Sequence, residues 1–185
     1  MTEPYVRPAR SADLVSFAAA LGDPAFLNDR FDRQLNNDGV LFLAWLDCRP
    51  AGEVYLWLEK AEEALIRWHL PRVPLITHLE VAPTLRNRGI GQALVEAAEQ
   101  YLVENGRRKV ALAVRTDNLH AARLYDRLEY QDWGHGEVTC YTQTTLPDGR
   151  VVREPERCHV LTKDLVPITP SPRSEARAIG AAQPW

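Results

Sequence analysis

The chain has 185 residues, 45% of them apolar and 25% charged, with a formal net charge of -3. That length supports one self-sufficient hydrophobic core, and the slight acidity gives no general basic field for nucleic acid or an anionic membrane. No stretch approaches the roughly 18 apolar residues of a membrane span, and residues 1–10 lack the apolar core of a signal peptide.

Tyr5-Val6-Arg7 begins a first strand. Ser11 is a suitable N-cap for a helix over residues 12–21, with Leu14, Phe17, Ala18 and Leu21 on one face and Gly22 at its end. Asp23-Pro24 opens a second helix, an N-cap acid followed by proline at the first helical position, with Leu27, Phe31 and Leu35 as its apolar face. Asn36-Asn37-Asp38-Gly39 is a turn. Residues 40–46 and 53–58 read as a β-hairpin joined through Cys48-Arg49-Pro50-Ala51-Gly52, and residues 75–81 as a further strand. Ile90, Ala93, Leu94, Ala97, Ala98, Tyr101 and Leu102 follow helical spacing, so residues 89–104 form a helix closed by Asn105-Gly106.

Residues 110–114 form a short strand, and Asp117-Asn118 caps a helix over residues 119–128 with Ala121, Leu124, Tyr125 and Leu128 on one face. Strands over residues 138–144 and 159–165 flank the turn Leu146-Pro147-Asp148-Gly149. The order of elements is that of a mixed α/β (α+β) domain with a largely antiparallel first half, spanning residues 1–165. Residues 166–185, rich in proline and then alanine, read as a tail that is flexible or packed on the surface. Cys48, Cys140 and Cys158 are few and widely spaced, suggest neither a disulfide framework nor a zinc site, and fit a reducing cytoplasm.

Chemistry concentrates where the strand over residues 75–81 feeds the loop Arg86-Asn87-Arg88-Gly89-Ile90-Gly91 and the long helix. The first-turn amides of a helix have no internal partners and carry the positive end of its dipole. Two glycines let an anion approach the backbone, and Arg86 and Arg88 add charge beside it, so the loop suits a pyrophosphate. The nucleoside-triphosphatase P-loop is excluded by the missing Gly-Lys-Ser/Thr ending, and the dinucleotide fingerprint by Leu94 at the third glycine position.

This segment resembles motif A of the GNAT superfamily of N-acetyltransferases, Arg/Gln-x-x-Gly-x-Gly/Ala, through Arg86, Gly89 and Gly91. Residues 110–114, Asn118 and Ala121-Ala122-Arg123-Leu124-Tyr125 look like the family's next strand and helix. The resemblance implies a GNAT fold with splayed central strands and an N-acetyltransferase that passes an acetyl group from acetyl-CoA directly to a primary amine, without a metal. It implies that the backbone near Leu79 and Val81 holds the pantetheine arm, that amides from Arg88 through Gly89, Ile90 and Gly91 to Gln92 cradle the pyrophosphate, and that Asn118 positions the pantetheine. Tyr125 is then expected near the coenzyme sulfur, donating a proton or a hydrogen bond to the departing thiolate.

The base that deprotonates the amine is open at this point. Two positions that carry Glu or His in related enzymes are Leu75 and Thr77 here. His78 and Glu80 flank them, on the opposite face by strand alternation unless a bulge re-aims them. Glu53 and Glu59 are further candidates, and a water chain is an alternative. The family's Gly-Phe after its last motif helix is replaced by Glu129-Tyr130. The acceptor is a small-molecule or peptide amine, with no nucleic acid or membrane partner expected. Family habit implies a homodimer, through edge strands or the tail. The competing reading is a non-catalytic acyl-CoA-binding module; a protein or peptide N-acetyltransferase is a narrower version of the first.

Overall fold

The computed structural model describes residues 3–145 and 150–166 of the chain. In chain order the elements are β1 (Tyr5–Pro8), α1 (Leu14–Leu21), α2 (Pro24–Leu35), β2 (Gly39–Leu46), β3 (Arg49–Trp57), α3 (Ala64–His69), β4 (Leu75–Val81), α4 (Ile90–Glu104), β5 (Lys109–Arg115), α5 (Leu119–Arg127), β6 (Gln131–Thr145) and β7 (Val151–Asp164). The seven strands form one sheet in the order β1-β2-β3-β4-β5-β7-β6. Every neighbouring pair is antiparallel except β4 and β5.

Alternation along β2 and β3 decides which helix covers which face. Val40, Phe42, Ala44 and Leu46 of β2, with Val54 and Leu56 of β3, bury against Ile90, Leu94, Val95, Ala98 and Leu102 of α4. The intervening residues Leu41, Leu43 and Tyr55 bury against Phe17 of α1 and Leu27 of α2. A third cluster packs Ile66 of α3 on Leu75, Ala111, Trp133 and Val160. The sheet is therefore covered on both faces, and its period-two pattern separates the faces cleanly.

Several expected boundaries shift, each for a local reason. Ser11 does not cap α1; a single 3-10 turn over Ser11–Asp13 precedes that helix. Asp13 anchors the turn instead, accepting the Arg10 amide at 2.7 Å and the Arg7 guanidinium at 2.8 and 2.9 Å. In α2, Asp23 caps as expected, accepting from the Phe26 amide. The inward position one turn after Phe31 belongs to Gln34, which donates to Ala9 O and accepts from the Leu41 amide, each at 3.0 Å, so Leu35 faces outward. The β2–β3 hairpin closes through two residues, Asp47 and Cys48, with φ of 50° and 61°. These left-handed values match a tight hairpin turn, so β3 starts at Arg49 rather than after Gly52. Pro50 sits opposite Trp45 where the register shifts, a place where a strand tolerates proline.

The helix α3 lies in the stretch read as a plain connection, because six residues with Ile66 as their one buried side chain carry no legible period. β6 and β7 are longer than expected and pair through a wide bulge between Asp132 and Glu137. The predicted turn at residues 146–149 and the tail beyond residue 166 lie outside the described residues. Among the described residues no helix is long and apolar enough to cross a membrane.

Candidate active site

The parallel pairing of β4 with β5 extends only over Leu75 with Ala111 and Ile76 with Leu112. Beyond that point β4 pairs with β3 alone, leaving a cleft between β4 and β5. At the same place the β3–β4 register shifts: Tyr55 faces Thr77, but Glu53 faces Glu80. Two residues of β4, His78 and Leu79, thus oppose Val54 alone, and His78 takes the left-handed φ of 48°. The extra residue inverts the side-chain alternation from this point on. The bulge that re-aims His78 and Glu80 is therefore present, and both turn to the α1–α2 face.

There they meet Glu53. The His78 Nε2 atom is 3.3 Å from Glu53 Oε1 and 3.6 Å from Glu80 Oε2. Phe26 of α2 holds the imidazole by stacking at a centroid separation of 3.6 Å. Glu53 is 2% exposed, the one charged side chain buried to that degree among the described residues, and its Oε2 has no hydrogen-bond partner there. Glu80 is the more open carboxylate, with 39% of its side chain exposed. Glu59 lies elsewhere, bound to Arg33 at 2.7 Å.

On the opposite face, α4 starts immediately after the basic loop. Gly89 adopts φ 79° as the residue before the helix, and a Cβ there would meet nothing within 4 Å. Its glycine identity answers the left-handed backbone rather than crowding. The first bond into the helix runs from the Ala93 amide to Gly89 O at 3.0 Å, and no side chain caps the end. The Ile90, Gly91 and Gln92 amides therefore precede the helical ladder. Arg86 donates to Val81 O at 3.3 Å, fastening the loop to the end of β4, and among the described residues neither it nor Arg88 has a carboxylate partner. Asn87 Oδ1 and His120 Nε2 approach to 3.0 Å, joining the loop to α5. A Cβ on Gly91 would lie 3.4 Å from Leu124 of α5 and 3.8 Å from both Leu79 and Val81. Leu79 and Val81 thus border the loop, while the bulge sends their neighbours to the other face.

Asn118 caps α5, its Oδ1 accepting from the Ala121 amide at 3.1 Å. Tyr125 is 6% exposed and packs edge-on against Tyr130 at 5.6 Å. Burial pushes its phenol up to about 12. Glu129 holds the left-handed φ of 66° that the substituted glycine would supply, so the turn after α5 survives the replacement. Tyr130 is buried beyond it and donates to Glu99 at 2.8 Å.

Geometry thus divides the predicted residues between two faces of one sheet. Gly89, Ile90, Gly91, Gln92, Arg86, Arg88, Leu79 and Val81 gather at the α4 end, and His78 and Glu80 gather on the α1–α2 face with Glu53. Sequence reasoning placed Glu53 only among the further candidates. The available signal was a lone carboxylate inside the apolar run Ala51-Gly52-Glu53-Val54-Tyr55-Leu56-Trp57.

A family model for the acetyltransferase (GNAT) family matches residues 9–130. An acetyltransferase from Sodalis glossinidius is 33% identical over 100 residues, which is 54% of this chain and 63% of that protein. The chain thus spans less than two thirds of the length of the curated relatives it matches first. Solved structures show the same fold at low identity. The Escherichia coli ribosomal-protein-S18-alanine N-acetyltransferase superposes with a TM-score of 0.61 at 15% identity, covering 88% of this chain and 94% of that one. The Salmonella typhimurium yncA protein, determined with its cofactor acetyl-CoA, gives 0.62 at 13% identity over 89% and 95%. With the family match covering more than half of its length and the splayed mixed sheet beneath it, this chain belongs to the acetyltransferase (GNAT) family.

Proposed function

We propose that the protein is an acetyl-CoA-dependent N-acetyltransferase that moves the acetyl group directly to a primary amine. The observation that carries this reading is the shared seam. A helix start without a side-chain cap, suited to an anion, and a carboxylate–imidazole cluster lie on the two faces of the strand β4 that leaves β5. The residues present fit the coenzyme. Arg86, Arg88 and the Ile90, Gly91 and Gln92 amides suit its pyrophosphate, and the Leu79 and Val81 backbone suits an added pantetheine strand. Asn118 uses its oxygen in capping α5, so its amide nitrogen is the group that reaches the ligand.

An alkylammonium has a pKa of about 10 and must lose a proton before it attacks. Glu80, the open member of the cluster, receives that proton, with His78 beside it and Glu53 fixing the imidazole from behind. The nitrogen lone pair then forms the N–C bond at the thioester carbonyl. Collapse of the tetrahedral intermediate breaks the C–S bond while the nitrogen gives up its second proton, which passes through solvent to the leaving thiolate, and Tyr125 hydrogen-bonds that thiolate. Peptide amines belong in the acceptor set alongside small amines, since one structural neighbour carries a ribosomal-protein acceptor in its name.

The test is thiol release from acetyl-CoA, read with a thiol-reactive dye across a panel of amines and peptides. Amine-dependent release should collapse in Gly89→Glu, which places a negative side chain at the pyrophosphate site. It should fall about 10- to 100-fold in Tyr125→Phe, the range for losing a hydrogen bond to a charged group. No release with any amine, while calorimetry shows coenzyme binding that only Gly89→Glu abolishes, would favour the non-catalytic acyl-CoA-binding module.

A further inference from the structure

Three metal-capable side chains converge on the α1–α2 side of the β4 bulge. One ligand atom from each of Glu53, His78 and Glu80 lies within 4.8 Å of the other two. The pairs through His78 Nε2 measure 3.3 and 3.6 Å. Zinc bonds of roughly 2.0–2.1 Å in a tetrahedron hold ligands about 3.3 Å apart, so the imidazole already stands at a workable separation from both carboxylates. Glu80 is the exposed arm and has freedom to close the remaining gap. An independent sign comes from Glu53, which is 2% exposed and keeps Oε2 buried with no hydrogen-bond partner among the described residues. A buried carboxylate oxygen without a donor is an unsatisfied acceptor, and a cation that both oxygens of the Glu53 carboxylate bind satisfies it.

We propose that this cluster is an inhibitory zinc site, with Zn2+ held by His78 Nε2, Glu53 and Glu80. One imidazole nitrogen with two carboxylates favours zinc over magnesium or calcium, which take oxygen ligands. Coordination needs the Nε2 lone pair, so the imidazole proton moves to Nδ1 or to solvent, and Glu80 can no longer receive a proton from the acceptor. Three protein ligands leave a fourth position for water. The ion therefore competes with the acceptor amine and leaves the pyrophosphate end of the cleft untouched. The inhibitory role rests on the acetyl-transfer reading; the binding site does not.

The experiment titrates zinc chloride, and separately magnesium chloride, into the chelator-treated full chain by calorimetry, with thermal melts in parallel. The chains compared are wild type, His78→Gln, Glu53→Gln, a His69→Gln/His135→Gln double variant and a Cys140→Ser/Cys158→Ser double variant. The last two control for the stacked imidazoles at 3.9 Å and for the thiols. Expected is one zinc per chain, binding at least tenfold weaker in both His78→Gln and Glu53→Gln, unchanged affinity in both controls, and no magnesium binding. Zinc should raise the melting temperature of wild type and not that of His78→Gln. No zinc binding, or binding that survives both substitutions and disappears in a control, overturns the site. In kinetics, zinc should raise the apparent KM for the amine with kcat and the KM for acetyl-CoA unchanged; activation, or a loss confined to kcat, overturns the inhibitory role. Binding at the cluster with no acetyl transfer to any amine would support the ion site and overturn the transfer reading separately.

Discussion

Tyr125 holds a proton that burial makes hard to lose, with the phenol pushed up to about 12. A thiol ordinarily titrates near 8.5, so complete transfer from this phenol to a thiolate runs uphill by about 3.5 units, on the order of 5 kcal/mol. In the proposed transfer, Tyr125 is therefore suited to a hydrogen bond that steadies the leaving sulfur rather than to full proton donation. In the proposed reaction, the cluster on the other face would divide its work by exposure. Glu53 is too deep to touch an acceptor, whereas Glu80 is open to it. Replacing Glu80 with Gln should lower kcat/KM by about 10²–10⁴ near pH 7, the usual contribution of a positioned base. The loss should shrink as pH rises toward about 10, where the free amine sheds its own proton. A pH–rate profile of Glu80→Gln that stays parallel to wild type would remove Glu80 from this role.

At the scale of elements, the N-terminal turn and the turn after α5 show what sequence reading reaches and where it stops. Helices α4 and α5 were legible because periodic apolar residues and flanking caps agree, and β4 was legible to the residue. The β4 bulge was not, because no residue type announces a register shift, and the face of His78 and Glu80 follows from that shift alone. The capping of α1 failed for a different reason: Ser11 has the right side chain, but the Asp13 carboxylate can accept from Arg7 and Arg10 together. The hydrogen bond from Arg7 holds the Asp13 carboxyl below its ordinary 3.8. A depressed folded-state pKa stabilises above the unfolded value and is lost as pH falls through the folded one. Asp13→Asn should therefore cost about 1–3 kcal/mol at pH 7, with the gap from wild type closing below about pH 4 in urea melts. Glu129 works in the opposite sense. It carries a side chain at φ 66°, where the left-handed backbone costs a non-glycine residue about 1–2 kcal/mol. Glu129→Gly should raise the melting temperature by a few degrees, less whatever the added chain entropy takes back. A fall in melting temperature would mean that the Glu129 side chain is stabilising the turn.

Across the whole molecule, the two ends of the site are coupled through one glycine. Gly52 of β3 pairs with Ala44 on one side and Val81 on the other, at the centre of the sheet. A Cβ there would stand 2.7 Å from Glu80 O and 3.2 Å from Ile90 Cγ2 and Leu94 Cδ1. The absent side chain lets the first turn of α4 settle directly on the β3–β4 seam. That contact sets the start of α4, the proposed pyrophosphate end, against the strand that carries His78 and Glu80 of the proposed proton-accepting cluster. Relief of a 2.7 Å contact with backbone requires β4 to move, because a carbonyl has no rotamer to change. Gly52→Ala should accordingly cost about 1–3 kcal/mol of stability through overpacking. It should also weaken coenzyme binding and lower turnover in the protein that remains folded, since Glu80 and Ile90 are displaced together. Gly106→Ala is the matched comparison. Gly106 has φ 72° and nothing within 4 Å of a Cβ, so alanine strains the backbone at the far end of α4 without moving the seam. Its stability should fall by about 1–2 kcal/mol while coenzyme affinity, measured calorimetrically below both melting temperatures, stays at the wild-type value. Equal losses of affinity in the two variants would mean that global loosening, rather than the Gly52 contact, controls the coenzyme end of the site.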